Sequence, residues 1–200
     1  MVNIVMDISQ QIFNKNLRDA LDIKNKLLHD VSLHEKLNLV VQEITNCLKN
    51  GGKVLFCGNG GSAADAQHLA AELSGRYYKD RPPLFAEALH VNTSYLTAIA
   101  NDYSFEKTYS RLTEAFGRKG DVLIGISTSG NSENIVQALN TAKNIGLKTV
   151  SFTGNKQNKL AEIADFDIII PSGDTPRIQE GYMLIGHTIC ELVELNMFGE

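Results

Sequence analysis

The chain has 200 residues, of which 43% are hydrophobic and 21% are charged, and its formal net charge is -4 at pH 7. This length and composition suit one globular domain with its own core. The mild acidity argues against a protein that coats nucleic acid, because such proteins need a basic face. Three scattered cysteines indicate a reducing cytoplasm, the first residues lack a secretory signal, and no apolar run approaches a membrane span.

The first part of the chain predicts two amphipathic helices. Apolar residues recur at helical spacing over 4–29 and over 32–50, and Gly51 and Gly52 end the second helix. Helices of this kind often cap a core or build an interface between subunits. We therefore predict that residues 1–50 mediate oligomerisation and belong to the same domain as the core at 51–200.

Short apolar runs alternate with helical stretches in the rest of the sequence. Runs rich in Val and Ile predict five strands, at 53–57, 88–91, 121–127, 148–152 and 165–170. Helices are predicted at 63–78, 94–100, 104–117, 132–145, 157–163 and from Pro176 to Met197. Strands that are apolar on both faces are typical of a parallel sheet covered by helices. The alternation predicts a three-layer α/β/α fold with a five-stranded, parallel, doubly wound sheet of the flavodoxin-like kind.

Two strands of this sheet lead into loops that favour an anionic ligand. The second loop offers the hydroxyls of Ser127, Thr128, Ser129 and Ser132 at a helix start, where backbone N–H groups attract phosphate. It has no lysine of a nucleotide-binding P-loop, so it suits a sugar phosphate better than a nucleoside triphosphate. The alternative is a Ser/Thr-rich turn that only caps a helix.

The first loop runs from Gly58 through Asn59, Gly60 and Gly61 to Ser62. The glycine spacing of this loop does not match that of a dinucleotide-binding site. The alternative interpretation is that the loop is only a tight turn between strand and helix. Both loops follow parallel strands, and open α/β sheets bind ligands at the carboxyl ends of their strands. A shared crevice at that edge is therefore expected.

Two helices carry side chains suited to acid–base chemistry or to metal binding. His68 and Glu72 are four residues apart and share a helix face, although this spacing also arises by chance. In the last helix, Gln179 and His187 are separated by about 12 Å along an ideal axis. Either the helix start departs from ideal geometry or one of the two serves a site from a neighbouring chain. A structural role in the core is the alternative for His187, and Gly186 beside it would permit a close helix approach.

Four ordered blocks resemble the phosphoheptose isomerases of the sugar isomerase (SIS) domain superfamily. They are CGNGGSAADAQHLAAELSGRY, IANDYSF, GDVLIGISTSGNS and RIQEGYMLIGHTICELVE, within a match over roughly residues 30–197. The resemblance implies an SIS-type sheet and a homotetramer with active sites between subunits. It also implies conversion of sedoheptulose 7-phosphate to D-glycero-D-manno-heptose 7-phosphate, the first step toward activated heptose for lipopolysaccharide or capsule.

The resemblance further implies the site residues. It puts one zinc ion per subunit on His68, Glu72, Gln179 and His187. Its substrate contacts fall on Asn59, Gly60, Gly61, Ser62, Glu72, Asn101, Asp102, Ser127, Thr128, Ser129, Ser132 and Gln179. An aldose–ketose shift through an enediol needs a base and a second acid–base group, for which we assign Glu72 and His187. One departure is visible, because many members have His where this chain has Tyr182.

Three alternative functions remain within the same superfamily. A non-catalytic SIS module binds the bacterial replication initiator protein, but such relatives tend to lose acid–base residues, whereas this chain keeps Glu72 and His187. An arabinose 5-phosphate type isomerase commonly carries appended nucleotide-sensing domains, for which this length leaves no room. A sugar-phosphate-responsive transcription regulator needs a basic helix-turn-helix, and the N-terminal helices do not provide one.

Overall fold

The computed structural model describes the backbone of residues 2–199 and the side chains of residues 7–199. Helices α1 (Val2–Leu28) and α2 (Val31–Lys49) precede five strands: β1 (Val54–Gly58), β2 (Ala86–Ala88), β3 (Val122–Ile126), β4 (Lys148–Gly154) and β5 (Phe166–Ile170). The connections contain α3 (Gly61–Ser74), α4 (Thr93–Asp102), a short 3-10 turn (Phe105–Lys107), α5 (Thr108–Phe116), α6 (Glu133–Asn144) and α7 (Lys159–Ile163), and α8 (Thr175–Phe198) ends the fold. None of the described helices is long and apolar enough to cross a membrane.

The sheet is parallel throughout, with the strand order β2-β1-β3-β4-β5. Successive side chains of a strand point to opposite faces. Phe56 and Ile124 therefore join a core cluster with α2, α3 and α8, whereas Leu55 and Leu123 join a second cluster with α5 and α6 on the other face. The predicted three-layer α/β/α fold is confirmed, and the two clusters explain why the strands read as apolar on both faces.

Strand β2 is shorter and lies earlier than predicted, at Ala86–Ala88 and not at 88–91. The pairing with β1 ends where the Leu89 N–H donates to the Phe56 carbonyl. The chain then turns, because the Asn92 side chain accepts hydrogen bonds from the Ser94 and Tyr95 N–H groups and caps α4. The apolar run that predicted a strand therefore lies mostly in a turn, where Leu89 still packs into the core.

Helix α3 ends at Ser74, four residues before the predicted end. The Arg81 guanidinium donates to the carbonyl oxygens of Glu72 and Leu73, which lie in the last turn of the helix. Gly75, a residue type that often follows a helix end, is the C-cap of α3, and Arg81 supplies donors to carbonyl oxygens that the helix end leaves unpaired. The predicted helix at 104–117 is likewise divided, into the 3-10 turn and α5.

A buried ion pair fastens the segment after α3 to the last helix. Arg81 Nε lies 2.9 Å from Glu194 Oε2, and both side chains are only 2% exposed. The Glu194 carboxylate also accepts the backbone N–H groups of Tyr77, Tyr78 and Lys79. Burial alone would raise the pKa of Glu194, but these donors and Arg81 outweigh it and hold the pKa below its ordinary value.

We expect Glu194→Gln to lower the free energy of unfolding by about 3 kcal/mol, because it leaves the Arg81 guanidinium buried without its counter-charge. Asp19→Asn is the matched control, since Asp19 pairs with Lys15 on the exposed surface and should cost well under ~1 kcal/mol. Urea unfolding near neutral pH measures the free energy of unfolding of both variants. The difference in free energy of unfolding between the wild type and Glu194→Gln should shrink as the pH falls through the depressed pKa of Glu194, because the carboxylate then takes up a proton. Equal losses in the two variants would contradict a stabilising role for the ion pair.

Candidate active site

The loops after β1 and β3 meet at one edge of the sheet, because these strands are neighbours. The side-chain amides of Asn59 and Asn134 exchange two hydrogen bonds, of 2.9 and 3.0 Å, and so join the first loop to the start of α6. The Tyr109 hydroxyl donates to the Gly58 carbonyl and fixes the end of β1. These contacts bring the first loop and the start of α6 together, and the shared crevice stays a prediction. Asn134 gave no distinct signal in the sequence, since its role depends on a partner 75 residues away.

Serine hydroxyls gather at the start of α6 in the second loop. Ser127 Oγ lies 3.0 Å from Ser132 Oγ and 3.4 Å from Ser129 Oγ. The Ser132 side chain makes no capping hydrogen bond to α6 although it occupies the capping position. Gly130 adopts a φ of 64°, which turns the loop over these hydroxyls, and an added Cβ would meet Asn158. The geometry provides hydroxyl donors and a helix N-terminus in one place, as a phosphate group requires.

Three of the four predicted metal-ligating residues lie together in a single chain. His68 Nε2 is 3.0 Å from Glu72 Oε1, and His187 Nε2 is 3.4 Å from His68 Nε2. One possible ligand atom from each residue lies within 4.8 Å of the other two. His68 is exposed and the other two are half-buried, so the cluster faces a surface that a ligand can reach.

Close packing of α3 on α8 produces this cluster. A Cβ added at Gly186 would lie 2.7 Å from both terminal methyl carbons of Leu69, so only glycine permits this approach without a shift. His68 and His187 flank this contact on the two helices, each one residue from it. The expectation that Gly186 permits a close helix approach is confirmed.

Gln179, the fourth predicted ligand, lies elsewhere. Its amide packs over the start of α3, where an added Cβ at Gly61 would be 2.5 Å from Gln179 Nε2. His68 is about 10 Å further along α3, and α8 continues without a break from Thr175 to Phe198. The structure therefore leaves Gln179 beside the first loop, about two helix turns from the His68, Glu72 and His187 cluster.

Tyr182 is the centre of a buried polar network. Its hydroxyl donates to Asp65 Oδ2 at 3.0 Å and lies 2.9 Å from Ser62 Oγ. Burial raises the pKa of the Tyr182 hydroxyl, which therefore keeps its proton at neutral pH. Burial also raises the pKa of Asp65, while the hydrogen bond from Tyr182 opposes that rise.

Asn101 and Asp102 do not join either group of residues within this chain. They end α4, both are exposed, and their side chains hydrogen-bond each other at 2.9 Å. Among the described contacts they touch neither loop residues nor the histidines. The structure thus presents three separate groups of predicted site residues: the loops with Gln179, the His68, Glu72 and His187 cluster, and this exposed pair.

Comparison with known proteins identifies a matching family model, similar sequences and similar solved structures. The SIS domain family model matches residues 21–154. The phosphoheptose isomerase of Clostridium acetobutylicum is 50% identical over 92% of this chain and 94% of its own length. That of Akkermansia muciniphila is 51% identical over 84% of this chain and 89% of its own length. The structure of phosphoheptose isomerase from Neisseria gonorrhoeae superposes with a TM-score of 0.86 at 39% identity, and the match covers 92% of this chain and 98% of that one.

The Clostridium relative and the Neisseria structure each match 92% of this chain, so the similarity is not confined to one motif. The chain therefore belongs to the SIS domain family and, within it, to the phosphoheptose isomerases.

Proposed function

We propose that this chain is an aldose–ketose isomerase that converts sedoheptulose 7-phosphate to D-glycero-D-manno-heptose 7-phosphate. The observation that carries the proposal is the approach of Glu72, His68 and His187 in a molecule that also presents a hydroxyl-lined loop at a helix start. The relatives named phosphoheptose isomerase, identical at about half of their positions, support the choice of substrate.

The reaction moves one proton between carbons and another between oxygens. Glu72 removes the proton from C1 of the ketose and returns it to C2, while the proton on O1 is lost and O2 gains one. His187 lies beside the same cluster and serves as the second acid–base group, which passes the proton between the two oxygens. The enediol between these steps carries developing negative charge, so nearby donors lower its energy.

The cluster has the donor set of a zinc site. Two imidazole nitrogens and one carboxylate oxygen are ligands that zinc accepts, and their mutual distances fit one ion. We propose that His68, Glu72 and His187 hold one zinc ion per subunit, with Gln179 of a neighbouring subunit as a fourth ligand. A bound zinc ion would supply positive charge beside the developing enediolate. A coordinated side chain is a poor proton carrier, so Glu72 and His187 would each carry a proton only while free of the metal.

The two loops are assigned to the phosphate and the sugar hydroxyls. Ser127, Thr128, Ser129 and Ser132, with the first N–H groups of α6, would hold the phosphate without a positively charged side chain. The first loop would contribute Asn59, Gly60, Gly61 and Ser62, where the small residues let the backbone approach the sugar. Asn101 and Asp102 are assigned to sugar contacts.

We further propose a homotetramer in which each active site lies between subunits. Gln179 and the loops lie about two helix turns from the histidine cluster of their own chain, so a neighbouring chain is the natural source of the missing partner. Helix α1 carries an apolar stripe that needs covering, in which Ile8, Ile12, Phe13, Leu17 and Leu21 are 50–65% exposed. A cytoplasmic location fits the three free, buried thiols, and the product would feed activated heptose synthesis for lipopolysaccharide or capsule.

Replacing Glu72 by Gln tests the assignment of the base. We expect turnover of sedoheptulose 7-phosphate to be lost, because an amide cannot take the carbon-bound proton at neutral pH. Glu162→Gln, an exposed change on α7, is the matched control and should retain wild-type turnover. Formation of the aldose is followed by NMR in both variants. A Glu72→Gln protein with substantial turnover would remove Glu72 as the base, and a wild-type protein that binds the sugar phosphate without turnover would favour the non-catalytic module.

Replacing Ser132 by Ala tests the phosphate loop. Loss of one hydroxyl hydrogen bond should weaken binding of inorganic phosphate by about 1 kcal/mol, or roughly fivefold. Ser94→Ala at the start of α4 removes an exposed serine hydroxyl from another helix N-terminus and should leave this affinity unchanged. Isothermal titration calorimetry compares the two. An unchanged affinity in Ser132→Ala would mean that the loop does not bind phosphate.

Light scattering tests the shared site. The wild-type protein should have about four times the 22.0 kDa mass of one chain. Phe13→Asp puts a charge into the exposed apolar stripe of α1, and we expect it to dissociate the assembly and reduce turnover together. A monomer with full turnover would contradict an active site built from two subunits.

A further inference from the structure

We infer that Tyr77 is a positioning residue whose phenol ring lies against the His187 imidazole and keeps its Nε2 directed at His68 and Glu72. The inference rests on the proposed function insofar as His187 is assigned there to zinc and to acid–base chemistry. Two sets of contacts support it: the aromatic rings around His187, and the hydrogen bonds that hold the backbone of Tyr77.

Two aromatic rings of the same chain contact the His187 imidazole. The Tyr77 ring is stacked on it, with ring centroids 5.9 Å apart and planes inclined by 29°. The His68 ring makes an edge-to-face contact, with centroids 5.0 Å apart and planes inclined by 69°. Stacked and edge-to-face geometries are the favourable ones for aromatic pairs. The plane of the His187 ring is therefore defined by two neighbours at once.

The Tyr77 contact restricts rotation of the imidazole. The torsion about the bond that carries a histidine ring has broad preferences of its own, so the neighbouring atoms must set the direction of the nitrogens. His187 Nε2 lies 3.4 Å from His68 Nε2. A large rotation would bring the His187 ring out of line with Tyr77 and carry Nε2 away from His68. The stacked phenol thus favours the orientation in which the cluster is assembled.

The backbone of Tyr77 is itself fastened to α8. Its N–H donates to Glu194 Oε2 at 3.2 Å, and the next two backbone N–H groups donate to the same carboxylate. Arg81 Nε lies 2.9 Å from that carboxylate. Glu194 follows His187 by seven residues, about two helix turns, so both side chains leave α8 on nearly the same face. One helix therefore carries the imidazole and also the carboxylate that brings Tyr77 over it.

A purely structural role is the alternative for Tyr77, because its ring is partly buried and also packs against the core cluster of α2, α3 and α8. The two roles differ in what a substitution changes. A structural ring contributes equally whether or not position 187 carries an imidazole, whereas a positioning ring acts only through that imidazole.

A double-mutant cycle between Tyr77→Leu and His187→Ala distinguishes the two roles. The readout is the zinc dissociation constant of the metal-stripped protein, measured by competition with a chromophoric chelator. Tyr77→Leu should raise this constant roughly 2- to 10-fold, which corresponds to the free energy of one aromatic pair. In the His187→Ala background the same change should alter the constant less than about twofold, because no imidazole is left to orient. Tyr77→Phe keeps the ring and should restore a constant within about twofold of the wild type.

Tyr95→Leu is the matched control. The Tyr95 ring lies on α4 and contacts Phe116 at the same centroid distance of 5.9 Å. Among the contacts described for residues 7–199, none joins Tyr95 to the histidine cluster. Its removal should leave the zinc constant within about twofold of the starting protein in both backgrounds. Thermal unfolding of each variant separates lost stability from lost orientation.

A second measurement reads the orientation of His187 directly and needs neither zinc nor turnover. In the zinc-free protein with isotope-labelled histidine, the nuclear Overhauser effect between the His68 and His187 imidazole protons reports how closely the two rings approach. We expect this signal in the wild type and in Tyr77→Phe, and a weaker signal in Tyr77→Leu, where the His187 ring is free to turn. His187→Ala identifies the resonances.

The role of Tyr77 and the proposed function can fail separately. An effect of Tyr77→Leu on zinc binding that is as large in His187→Ala as in the wild type, or an unchanged histidine–histidine signal in Tyr77→Leu, would overturn the positioning role while isomerase turnover stands. If the wild-type protein binds no zinc and fails to turn over sedoheptulose 7-phosphate, the proposed function fails, and the histidine–histidine signal still decides the role of Tyr77.

Discussion

The contact between α3 and α8 is the constraint on which the rest of this molecule depends. Gly186 has no side chain to keep Leu69 away, so the two helices approach closely enough for His68, Glu72 and His187 to meet. A side chain at position 186 would have to displace a buried leucine. The same two helices bury apolar side chains against the sheet. The packing of α3 against α8 therefore contributes to stability and also brings the acid–base groups together.

Polar contacts hold this helix pair on either side of that glycine. Toward the sheet edge, the Tyr182 hydroxyl joins Ser62 and Asp65 of α3 to α8. Toward the other end, the buried Arg81 and Glu194 pair fastens the segment after α3 to the last turns of α8. The cluster of His68, Glu72 and His187 lies between these two sets of polar contacts. Its side chains are therefore held by helices and not by a mobile loop.

Periodicity and composition predicted most of the fold, because parallel strands covered on both faces leave a strong apolar signal. Five strands, the layers and the order of elements agree with the structure, while β2 is displaced since its core residue Leu89 lies in a turn. The early end of α3 coincides with Gly75, a local stop signal, and with contacts of Arg81 that helical periodicity does not reveal. For the site, helical spacing anticipated the pairing of His68 with Glu72 and the separation of Gln179 from His187. It could not show that His187 meets His68, because residues 119 positions apart are brought together only by tertiary packing.

The central claim is that a proton travels between two carbons of a sugar phosphate on the carboxylate of Glu72, which is 24% exposed and so in exchange with water. The most direct test is isomerisation of sedoheptulose 7-phosphate in D₂O, followed by NMR and mass spectrometry of the early product. The account predicts deuterium at C2 of the aldose, since the proton on Glu72 can exchange with solvent before it is returned. An aldose that forms at the normal rate in Glu72→Gln and carries no deuterium at C2 would contradict the account.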